Sequence, residues 1–148
     1  MRTAALTGAF CLAFAGSSAL AEEARTTPSG YVFEQPELLA DQLLWGIAHG
    51  ARLLGLACAK SGHGAAAEAW LAWREREATE IAAYHARLAR HYFERDDAQP
   101  AALAAALGLK PELELSAENL AQACATLAEA LAQPRYDLAR RRAEMLRK

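Results

Sequence analysis

"EAWLAWREREATEIAAYHARLARHYFER", from Glu68 to Arg95, contains neither glycine nor proline. On a helical wheel Trp70, Trp73, Ile81, Tyr84, Leu88 and Tyr92 share a stripe about 100° wide. The other side carries Arg76 with Glu80 and Arg90 with Glu94, each pair one turn apart, which suits a solvated surface. The pattern specifies one long amphipathic helix over Ala65–Arg95. Its aromatic stripe reads first as the inner face of that helix. Glu77 falls inside the stripe, and His85 and His91 lie on its two edges, about 120° apart by helical periodicity.

Similar punctuation places the other elements. Pro36 suits the first turn of a helix that should run to Ala59. "KSGHG", Lys60–Gly64, is a tight turn with two glycines. Pro100 opens a short helix that Gly108 closes. Ser116 caps a further helix, whose stripe of Leu120, Cys124, Leu127 and Leu131 points Cys124 inward. Pro134 begins a basic terminal helix. Alternating β-branched runs are missing, so no strand is expected. The fold class is all-α: an antiparallel helical bundle of three long helices plus short helices, in one domain over residues 36–148.

The first helix has two apolar sides. Leu39, Leu43, Gly46, Ile47, Gly50, Leu54, Ala57 and Cys58 form one stripe, in which Gly46 and Gly50 suggest close approach by another helix. Leu38, Trp45, His49, Leu53 and Leu56 gather on the other side, with Arg52 between. A helix apolar on two sides is either central or faces a partner. The second set is therefore the candidate partner-binding surface, with Trp45 as anchor.

The chain opens with Arg2, an apolar run over residues 4–15 and the small-residue ending "GSSALA". This is the pattern of a cleavable signal peptide over residues 1–21, followed by an extended arm over 22–35. Lipid attachment at Cys11 is disfavoured by the bulky Phe10 before it. No later segment is apolar for as long as a membrane span requires. Export, with the periplasm as the expected location, leaves Cys58 and Cys124, which read as one disulfide in an oxidising compartment.

Formal net charge is −2 over 148 residues. It is unevenly spread: residues 135–148 hold six basic and two acidic side chains, while 22–134 hold nine basic and 16 acidic. An acidic body does not suggest nucleic acid. The basic end reads as a solvated terminal helix.

Chemical motifs are few. The histidines lack the i,i+3 or i,i+4 spacing by which one helix offers two metal ligands. "CxxCH", the covalent haem motif, is absent. No metal and no cofactor are expected. There is no nucleophile elbow, phosphate loop or paired carboxylate, so an enzyme is not expected either. Glu77 among aromatics is the one candidate for perturbed acid–base chemistry, against a structural pairing with Arg74. Two functional readings follow. The first is a protein-binding or accessory module, whose partner is another periplasmic protein or a second copy of the chain. The alternative is a carrier of a small ligand, metal or haem on a face formed by Trp70, Trp73, Glu77, His85 and His91. A carrier requires a cavity lined by Trp70, Trp73, Glu77 and His85; a binder requires a filled core and an exposed apolar surface.

Overall fold

A computed structural model describes residues 28–148, so the expected signal peptide and the start of the arm lie outside the described residues. Among the described residues the chain is all-helical: α1 Pro36–Lys60, α2 Gly64–Arg76, α3 Ala78–Phe93, α4 Pro100–Ala106, α5 Ala117–Leu131 and α6 Leu138–Leu146, with a 3-10 turn at Pro134–Tyr136. Pro36 and Pro100 stand in the first turns of α1 and α4, as their fixed φ favours. Ser116 Oγ accepts the Asn119 N–H at 3.2 Å and caps α5. Gly62 and Gly108 take positive φ just after α1 and α4, where a side chain would be strained. Cys58 and Cys124 form a disulfide between α1 and α5.

The long helix expected over Ala65–Arg95 is interrupted at Glu77, between α2 and α3. No helix-breaking residue causes this. The Glu77 carboxylate turns inward, is 6 % exposed, and accepts the backbone N–H of Leu138 at 3.1 Å. Leu138 is the first residue of α6. A carboxylate there meets an unsatisfied N–H and the positive end of the helix dipole. Asp137 caps the same terminus through the Arg140 N–H at 3.0 Å. Arg76, not Arg74, is the cation paired with Glu77, at 3.0 Å.

The terminal helix is correspondingly docked rather than free. Trp73 Nε1–H donates to the Tyr136 carbonyl at 2.8 Å, and the Tyr84 hydroxyl donates to the Leu138 carbonyl at 3.2 Å. Leu138 is fully buried. Arg142 donates to Asp41 at 2.8 Å, and Arg87 reaches the same carboxylate through two bonds of 2.6 and 3.0 Å. One buried anion thus ties α1, α3 and α6 together, with both carboxylate oxygens satisfied.

The inner face of α1 is not the stripe expected from its large residues. Ala40, Asp41, Gln42, Leu44, Trp45, Ala48, Ala51, Gly55 and Cys58 are buried, whereas Leu43 and Gly50 are exposed. The buried face lies between the two apolar stripes, which become its flanks. Asp41 and Gln42 are buried because each is fully engaged. Gln42 accepts the Val32 N–H at 3.0 Å and donates to Gly30 O at 3.4 Å and to the Tyr92 hydroxyl oxygen at 2.5 Å, while Tyr92 O–H donates to Gly30 O. These bonds latch the end of the arm onto α1 and α3.

Burial pushes the phenol of Tyr84 up, and the neighbouring Glu80 carboxylate adds to the shift. Burial raises Tyr92 as well, against a smaller lowering by the Gln42 hydrogen bond. A phenol with a raised pKa keeps its proton longer in the folded chain. The stabilisation is complete below the unfolded value of about 10 and is lost as pH climbs through the folded value. The chain should therefore lose stability steeply above pH of about 10. Urea unfolding across that range should give a shallower loss in a Tyr84→Phe, Tyr92→Phe variant; an unchanged slope would assign the loss to other groups.

Candidate functional site

α1, α2, α3 and α4 do not close on one another completely. They frame a groove of about 1230 Å³. Its floor is Trp45, whose indole is 4 % exposed and belongs to the hydrophobic core. The His49 ring stacks on this indole at 5.6 Å between centroids, and the His85 ring tilts against it at 6.2 Å. His49 is fixed by a 2.8 Å hydrogen bond between its Nε2 and the Lys110 carbonyl. His85 Nε2 is buried without a hydrogen-bond partner.

The walls exist as walls because their residues are small. Ala48 comes from α1, Ala78 and Ala82 from α3, and Ala101, Ala104 and Ala105 from α4. Leu71, Ile81, Leu109, Pro100 and Pro111 supply the larger apolar contacts. Alanine on three facing helices leaves space that leucine would fill. Residues on both sides of the interruption at Glu77 line the groove: Leu71, Arg74 and Glu75 from α2, and Ala78, Ile81, Ala82 and His85 from α3.

Charge is confined to Arg52 of α1 with Arg74 and Glu75 of α2. None of the three forms an ion pair among the described residues. The Arg74 guanidinium lies over the Trp70 ring at 5.1 Å, a cation–π contact that leaves its N–H edge available. Gly55 packs against Trp70 across the α1–α2 contact. Arg52 stands three residues before Gly55 and Arg74 four after Trp70, so the two lie about one turn further from the connecting turn on their respective helices.

The residues expected to share a partner-binding face divide. Trp45 and His49 line the groove, and Trp45 is core rather than an exposed anchor. Leu53 lines a smaller neighbouring hollow of about 360 Å³, beside Gly46, Gly50 and the 109–114 segment. Leu38 packs against the core, and Leu56 is exposed.

The expected ligand face divides as well. Trp70 and Trp73 are buried in the core, Glu77 caps α6, and His85 alone of the five reaches the groove. His91 sits elsewhere, its ring edge-on to Tyr92 at 4.8 Å, with Nε2 buried and unpartnered. Among the described residues no cluster of three or more His, Cys, Asp or Glu side chains is arranged to hold a metal ion. No helix among them is long and apolar enough to cross a membrane.

Large residues drew attention in the sequence, whereas six alanines contribute to the groove wall. Ala78 and Ala82, one turn apart on the flank of the aromatic stripe, were the available signal for it. No protein-family model matches the chain, and no match was found among curated proteins or among solved structures, so its own geometry carries the functional reading.

Proposed function

We propose that this chain is an exported, non-catalytic binding module, an antiparallel helical bundle that holds an apolar helical segment of a partner protein in the groove over Trp45. The observation that carries the reading is the groove itself: about 1230 Å³, open along one side and walled by alanine. Small-molecule sites usually enclose about 300–1,000 Å³ and surround most of the ligand. An open trench with small walls suits the leucine face of an amphipathic helix, since short side chains allow close helix approach. The Cys58–Cys124 disulfide supports an oxidising destination, the periplasm in this reading, and agrees with a signal peptide over residues 1–21. Glu77, the acid singled out for proton chemistry, is occupied in holding α6.

Carriage of a small ligand is supported by one observation, the unpartnered Nε2 of His85 beside the groove. It receives no help from Trp70, Trp73 and Glu77, which are taken up in packing and capping.

Photo-crosslinking in the native periplasm separates the outcomes. A photoreactive phenylalanine in place of Ala82, an exposed wall residue, should trap one defined protein. The same group in place of Gln122, exposed on α5 and outside the groove, should not. Ala101→Trp, which fills the groove from α4, should abolish the adduct. Equal adducts from positions 82 and 122, or none from 82, would remove the groove as the binding surface.

A further inference from the structure

We infer that the helix taken by the groove is acidic along one flank, and that its carboxylates pair with Arg52 and Arg74. The inference rests on the helix-in-groove reading and adds the charge of the partner. Four arginines are matched within the chain: Arg87 and Arg142 share Asp41, Arg76 holds Glu77, and Arg140 holds Glu144. Arg52 and Arg74 are not among these four. Both line the groove, from adjoining helices, without an ion pair among the described residues.

Glu75 is the single carboxylate in the lining, so the rim carries two fixed positive charges against one negative. The remaining titratable groups there are His49, held by the Lys110 carbonyl, and His85, set against Trp45. Neither adds negative charge. A rim of this sign attracts carboxylates and repels the basic flank of an otherwise equivalent helix. Guanidinium groups suit this role because each offers a planar pair of donors to a carboxylate. The apolar trench supplies affinity, and the two arginines choose among apolar helices and fix the direction in which one lies.

Three labelled peptides of about 18 residues, each about 27 Å long when helical, test this. They share one leucine face and differ only in carrying Glu, Gln or Lys on the flanks. Fluorescence anisotropy with the full-length exported chain should show the Glu peptide binding tightest and the Lys peptide weakest. The Glu-to-Gln ratio should be roughly tenfold, the order expected of two surface ion pairs. It should shrink as salt rises from about 10 mM to about 1 M, which shortens the screening length from about 30 Å to about 3 Å. An Arg52→Glu, Arg74→Glu variant should reverse the order of the peptides. Both positions are exposed, so helix content by circular dichroism should be unchanged. Equal binding of all three peptides would overturn the acidic partner while leaving the groove reading in place. Binding of none, at millimolar peptide, would overturn the groove reading and this inference with it.

Discussion

Cys58→Ala should lower the stability of the folded chain by about 4 kcal/mol, the chain-entropy figure for a loop of this length. The bond closes 66 residues of sequence, from the last turns of α1 to the middle of α5. An unfolded chain released from that constraint gains conformational freedom that the folded chain does not. Domains of this size are stable by only about 5–15 kcal/mol, so the loss is a large share of the total. The thermal midpoint should fall by roughly 15 °C, at about 4 °C for each kcal/mol.

The effect should also be local in its first stages. α5 packs on the rest of the chain through Leu120, Leu127 and Leu131 and through the disulfide, while most of its other positions face solvent. Amide exchange in α5 should therefore quicken more than exchange in α3. Cys124→Ala and chemical reduction of the parent should reproduce the result. If the parent yields two alkylatable thiols before reduction, or if both alanine variants melt with the parent, the bond contributes nothing under those conditions.

The disulfide was legible because it needed only two facts: two cysteines after the expected cleavage point, and Cys124 on the apolar stripe of its helix. Helix ends were legible for a similar reason. Pro36, Pro100, Gly62, Gly108 and Ser116 act through their own backbone or the next few residues. Interactions that span the chain were not legible. Glu77 interrupts a helix of good formers because the N-terminus of α6, 61 residues later, needs an acceptor. Asp41 turns inward because Arg87 and Arg142 meet it there, 46 and 101 residues away. Periodicity put Glu77 on the inner face but could not show what it holds, and it gave Asp41 no face, since hydropathy assigns no value to a distant partner. Rotating the buried face of α1 toward Asp41 and Gln42 moved Trp45 from an outer anchor to the floor of a groove. The candidate site was thus half visible, in Trp45, His49 and His85. Its walls were hidden in alanines that a helix-forming composition explains equally well.

Glycine in α1 gives the sharpest contrast between the two levels of reading. Gly46 and Gly50 recur at one-turn spacing and suggested close helix approach, yet a Cβ on Gly50 would meet nothing within 4 Å. Gly55, outside that pair, is the crowded position: a Cβ there would lie 2.3 Å from Cγ and Cδ2 of Trp70. Trp70 is 4 % exposed and packed in the core, so its ring has little room to retreat. Two effects of opposite sign then compete in any glycine-to-alanine change. Alanine favours a helix interior over glycine by up to about 1 kcal/mol. Overpacking a filled core costs about 1–3 kcal/mol or more. Gly50→Ala meets only the first and should stabilise the chain by a few tenths to about 1 kcal/mol. Gly55→Ala meets both. A contact far inside van der Waals range puts the second effect at its upper end, for a net loss of about 2 kcal/mol. Urea unfolding of the two variants beside the parent reads both signs. Trp70→Leu in the Gly55→Ala background should recover part of the Gly55→Ala penalty, a coupling expected only if the ring is what alanine strikes. A Gly55→Ala chain as stable as the Gly50→Ala chain would mean that α1 and α2 are further apart at this level than Gly55 and Trp70 require.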